Sequence, residues 1–108
     1  MSKEIELACV PSAIPSEERA SHFALARKLF GEPKREPVEL PDGLAFRFAA
    51  DELDTVARFV ANERRCCPFL RFEMTLDAAG GPLWLRMSGP EGTRHFLQHE
   101  LELTKPCC

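Results

Sequence analysis

The sequence predicts an α+β domain of two layers, an antiparallel sheet with helices packed on one face. Two observations carry this: two pairs of alternating apolar segments each flank a turn signal, and between them lie segments with apolar residues at helical spacing, closed by proline or glycine. The chain has 108 residues, 44% of them hydrophobic with eight Phe and one Trp. That is the size and composition of one domain able to bury a core. The expected division is a single domain over 1–104 and a flexible Cys-Cys tail over 105–108, with elements in the order β-α-β-β-α-β-β-α.

Residues 4–10 alternate Glu4 and Glu6 with Ile5 and Leu7, ending near Val10, which predicts a first strand with one buried face. Pro11 and Pro15 end it. Ser16 is the expected N-cap of a helix over 16–30, with Glu17 and Glu18 in the turn where the macrodipole favours carboxylates and Gly31 and Pro33 beyond its end. Its expected inward face is Ala20, Phe23, Ala24 and Phe30, with Leu29 beside them. Val38–Leu40 and Leu44–Phe48 flank Pro41-Asp42-Gly43, turn residues that predict a hairpin in which Gly43 takes a positive φ. Asp51 is the expected cap of a second helix, Asp54 reaching back, with Leu53, Val56, Val60 and Cys67 at helical spacing until Pro68. Leu70, Phe72, Met74 and Leu76, then Leu83, Leu85 and Met87, alternate with polar residues or Trp84 around Gly80-Gly81-Pro82, which predicts a second hairpin. Gly89-Pro90-Glu91-Gly92 opens a last helix with Phe96, Leu97 and Leu101 inward. Trp84 and Arg86 point to the other sheet face, which a second subunit could cover.

Charge narrows the function classes. A net charge of -3 and a pI near 5.6 give no footprint for nucleic acid or anionic lipid. The charged N-terminus lacks the apolar stretch of a secretory signal, and no run has membrane-spanning length. The reading is a cytosolic chain whose five cysteines are reduced, so that thiol chemistry or metal binding is the question and a disulfide framework is not expected.

Cys66-Cys67-Pro68 places two sulfurs at a helix end, at the junction of the two layers. One reading is packing, because cysteine is among the most buried residue types. The other is chelation: neighbouring thiolates select soft ions such as Hg(II) and Cu(I), which accept two or three sulfurs, whereas structural zinc sites want four ligands at wider spacing. A nucleophilic cysteine meets an objection, since the helix C-terminus disfavours a thiolate and the chain offers no evident histidine partner. Cys9, a small core residue by the bland reading, is the candidate third thiol of a trigonal site. Cys107 and Cys108 end the chain with no packing role to explain them. This terminal pair resembles the tail with which mercuric reductase passes Hg(II) inward, a likeness of two residues that carries over neither fold nor catalysis.

His95 and His99 share a face of the last helix near Glu102, a spacing that can hold a divalent metal but on a polar face reads first as two solvated histidines. Asp51, Asp54 and Glu63 read as caps and a solvated helix face. Arg64 and Arg65 read as partners of nearby carboxylates.

Glu63-Arg64-Arg65-Cys66-Cys67-Pro68-Phe69, the following Phe72, and Gly80-Gly81-Pro82-Leu83-Trp84-Leu85-Arg86 with Gly89-Pro90-Glu91-Gly92 resemble a small uncharacterised bacterial α+β protein family with an ERRCCPF motif. The resemblance extends over most of the chain. It implies a small stand-alone domain and no particular activity, substrate or cofactor, and the terminal Cys107-Cys108 is not one of its features.

The sequence thus points to a cytosolic protein that sequesters a soft metal ion, Hg or Cu(I), through Cys66 and Cys67, with Cys9 as third ligand and Cys107 and Cys108 as a second pair. The alternatives are a non-catalytic interaction domain, dimeric through its open sheet face, and a thiol-dependent enzyme.

Overall fold

The computed structural model describes residues 7–31 and 36–102, with side chains described as far as His99. Three helices, α1 (Ser16–Phe30), α2 (Leu53–Cys66) and α3 (Thr93–Glu102), accompany four strands, β1 (Val38–Leu40), β2 (Gly43–Phe48), β3 (Arg71–Leu76) and β4 (Leu83–Ser88). The strands form one antiparallel sheet in the order β1-β2-β4-β3. The fold is therefore the α+β class that the sequence predicts.

Register explains the layering. Leu44, Met87 and Phe72 stand in one row across the sheet, Phe46, Leu85 and Met74 in the next, and Phe48, Leu83 and Leu76 in a third. Because strand side chains alternate faces, these rows share one face. On it pack Ala26, Leu29 and Phe30 of α1, Val56 and Phe59 of α2, and Leu97 of α3. Phe30 fixes the centre edge-on, its ring 5.0 Å from Phe46, 5.2 Å from Phe59 and 5.8 Å from Phe48. The other sheet face carries exposed Arg47 and Arg86 around half-buried Trp84.

Several sequence expectations need correction. The first strand is not formed where it is described: residues 7–10 lie outside the sheet, while 4–6 fall outside the described residues. The Val10 amide instead donates to the Cys66 carbonyl at 2.6 Å, and Pro11–Ala13 turns as a short 3-10 helix. The apolar side of this segment is satisfied by packing: Leu7 and Cys9 lie against Ile14, Cys66, Cys67 and Phe69. In α1 the inward face is His22, Ala26, Leu29 and Phe30, whereas Ala20 and Ala24 are exposed and Phe23 half-buried. Pro15 precedes the helix and Ser16 is its first residue, not its cap. Neither Asp51 nor Asp54 caps α2, which has no side-chain cap; Glu52 instead accepts the Ala49 amide at 3.2 Å in the short 3-10 turn Ala50–Glu52 that leads into it. Leu76 is exposed at the sheet edge. Gly43 is required by close approach and not by a positive φ: a Cβ there would sit 1.8 Å from the Met87 carbonyl oxygen. The tail residues Cys107 and Cys108 lie outside the described residues.

Candidate metal centre

The site is built where α2 ends. Its last turn closes with the Cys67 amide donating to the Glu63 carbonyl at 2.8 Å, after which Pro68 cannot continue the helix. The orphan carbonyls of a helix end need outside donors. Two are provided locally, Val10 N–H to Cys66 and Leu70 N–H to Cys67 at 3.1 Å. The first of these bonds ties the N-terminal segment to the helix end and so brings Cys9, far away in sequence, onto the vicinal pair.

The sulfurs of Cys9, Cys66 and Cys67 all lie within 4.8 Å of one another, close enough to hold a metal ion. The Cys67 sulfur is 2.8 Å from that of Cys9 and 4.0 Å from that of Cys66. Cys66 and Cys67 are fully buried and Cys9 half-buried, in an apolar pocket of Ile14 and Phe69 with Leu7, Leu70 and Phe96 around it. The Phe69 and Phe96 rings meet edge-on at 5.1 Å and close one side.

Cys9 and Cys66 are disulfide-bonded and Cys67 is a thiol.

A second layer stands behind the sulfurs. Cys67 Sγ–H donates to Glu63 Oε1 at 3.4 Å, and the other carboxylate oxygen, Oε2, is 2.7 Å from His22 Nε2. Glu63 is 6% exposed and His22 0%. The His22 ring stacks on Phe59 at 5.4 Å, and its Nδ1 has no hydrogen-bond partner among the described residues. Burying a carboxylate and an imidazole in an apolar core is costly unless they are paired. Each therefore holds the other in place, and the chain Cys67–Glu63–His22 fixes the orientation of one sulfur of the trio.

Of the residues singled out from sequence, Cys9, Cys66 and Cys67 come together. His95 and His99 are both exposed on α3, and the metal-capable group among the described residues does not include them. Glu63 is not on a solvated face, and a histidine does reach the cysteines through it. His22 was legible in one respect: it begins the run 22, 26, 29, which is the true apolar stripe of α1. Compared with protein-family models, curated proteins and solved structures, the chain matches none.

Proposed function

We propose that this protein binds a thiophilic metal ion, Hg(II) or Cu(I), through the thiolates of Cys9, Cys66 and Cys67, and acts as a cytosolic sequestration or hand-over protein. The single observation that carries the reading is the convergence of three sulfurs from two distant chain segments within 4.8 Å. A planar three-sulfur site with metal–sulfur bonds of about 2.3 Å separates its sulfurs by about 4 Å. The Cys66–Cys67 separation of 4.0 Å already has that value, and Cys9 needs only a small outward shift from Cys67. Soft ions accept three sulfurs, whereas structural zinc wants a fourth ligand, and Glu63 is engaged by His22. Cys107 and Cys108 serve in this reading as a second pair that passes the ion to or from the buried site.

A second reading is favoured by the packing itself. All three cysteines belong to an apolar cluster with Ile14 and Phe69, as small core residues would. In that case the protein is a non-catalytic interaction domain, and the face around Trp84, Arg47 and Arg86 is where a second copy docks.

One experiment separates the two. Reduced protein carrying Cys107→Ser and Cys108→Ser is offered Hg(II), Cu(I) or Zn(II) against an excess of a small competing thiol, and the retained ion is weighed by native mass spectrometry. The tail substitutions matter because any exposed dithiol takes up Hg(II). A folded site with positioned ligands retains one soft ion and releases protons as thiolates form, while a casual pair loses it. Cys66→Ser with Cys67→Ser abolishes retention and keeps the circular dichroism of the fold. Unfolding of that variant, or no retention by the tail-substituted protein, puts the interaction domain in place of the metal reading.

A further inference from the structure

The charge of a filled three-sulfur site depends on what fills it. Three thiolates carry three negative charges: Cu(I) leaves two of them uncompensated, Hg(II) leaves one, and a trivalent centre leaves none. The surroundings of Cys9, Cys66 and Cys67 make that difference count. Ile14, Phe69, Leu7, Leu70 and Phe96 pack round the sulfurs, and Cys66 is 0% exposed and Cys67 2%. Excess charge placed there is taken out of water among apolar side chains, which is costly. The Cys67 thiol meets an acid at 3.4 Å, Glu63, itself 6% exposed, and an acid adds no counter-charge to an anionic complex.

Geometry agrees with charge. A trivalent centre with a lone pair is pyramidal, and bonds of about 2.3 Å set near 95° apart put its sulfurs about 3.4 Å from one another. The Cys9–Cys67 and Cys66–Cys67 separations, 2.8 and 4.0 Å, lie on either side of that value. A planar site requires the shorter of them to open about twice as far. The lone pair needs no donor, so apolar walls complete the shell without a fourth ligand.

We propose that the reduced trio also takes a trivalent arsenic or antimony centre, delivered as its neutral trihydroxide and held as a neutral, pyramidal tris-thiolate. The proposal rests on the reading of Cys9, Cys66 and Cys67 as one binding site, and extends its ligand class from metal cations to arsenite-type oxyacids.

Binding is ligand exchange without redox chemistry. Each thiol attacks the centre in turn; one arsenic–sulfur bond forms, one arsenic–oxygen bond breaks, and the hydroxyl leaves as water with the thiol proton. Arsenous acid and three cysteine thiols become one arsenic tris-thiolate and three waters, arsenic staying trivalent throughout. Half-buried Cys9 is the sulfur met from solvent, with Cys66 and Cys67 behind it. No net charge enters the pocket and no proton is released. Hg(II) differs in this, because its three metal–sulfur bonds expel three protons.

The test uses the full chain carrying Cys107→Ser and Cys108→Ser, reduced with dithiothreitol and freed of it without air. Arsenite and Hg(II) are offered separately at slightly acidic pH against excess glutathione. Native mass spectrometry should show one arsenic retained, with a mass gain of one arsenic atom less three hydrogens, and a sulfur-to-arsenic charge-transfer band should appear in the ultraviolet. An indicator dye in weak buffer should record no proton release with arsenite and three protons with Hg(II). Cys9→Ser should weaken arsenite retention by about a hundredfold or more, the scale gained by tying a further ligand into the same molecule. Cys66→Ser replaces that variant should its circular dichroism show that it fails to fold. Retention of Hg(II) without arsenite overturns this inference and leaves the metal reading standing. Equal arsenite retention by the parent and the serine variant also overturns it, since the adduct then needs two sulfurs only. Retention of neither ligand overturns the metal reading and this inference with it.

Discussion

Cys66 and Cys67 draw the eye in the sequence because they are adjacent and followed by proline, and Pro68 fixes where their helix must end. What they touch is less accessible, because the contacts are made across the fold. His22 and Glu63 are 41 positions apart and meet only because α1 packs on α2. A lone histidine in an amphipathic helix is read as polar, and here it is the most buried residue of the stripe. The pair makes a sharp prediction. Replacing His22 by Phe leaves the Glu63 carboxylate buried with only a thiol for company, and should cost about 3–5 kcal/mol of stability in chemical denaturation. Adding Glu63→Met to that variant should recover most of the loss, because an apolar pair of similar volume has no charge to desolvate. If the single variant is as stable as the parent, the pair does not hold the core in the way its geometry implies.

At the scale of elements, the bounds of α1 and the positions of both hairpins follow from local rules: proline before a helix, glycine after it, turn residues between alternating segments. The strand order does not. Alternation says that a strand buries one face, not which neighbour it pairs with, and β2 pairs with β4 while β3 takes the far edge. The same ambiguity explains the N-terminal segment, whose one apolar side packs on the cysteine cluster as irregular chain instead of adding a strand. The β2–β4 pairing also explains Gly43. It faces Leu40 on one side and Ser88 on the other, and leaves no room for a Cβ beside the Met87 carbonyl. Gly43→Ala should therefore destabilise the protein by about 3 kcal/mol or more, because backbone must move, whereas Gly80→Ala meets no atom and is limited to the strain of its positive φ. Thermal melts of the two variants compare them directly; an unperturbed Gly43→Ala would contradict the register.

For the molecule as a whole, the fold class was readable because the hydrophobic pattern carries it, and the sheet with helices on one face gathers one continuous core from all three helices. The proposed ion site is a smaller cluster at the end of α2, which links the N-terminal segment to the body of the domain. A soft ion bound across Cys9, Cys66 and Cys67 should raise the denaturation midpoint of the reduced protein carrying Cys107→Ser and Cys108→Ser, since a ligand that binds only the folded state stabilises it. An unchanged midpoint on adding Hg(II) would contradict an ion held across those two segments.

The claim that three sulfurs from Cys9, Cys66 and Cys67 hold one ion is tested most directly by X-ray absorption at the metal edge of reduced, Hg(II)-loaded protein carrying Cys107→Ser and Cys108→Ser. The account predicts three sulfur neighbours around each mercury, falling to two in the Cys9→Ser variant. Two sulfurs in both proteins, or a shell containing nitrogen or oxygen in place of the third sulfur, would contradict it.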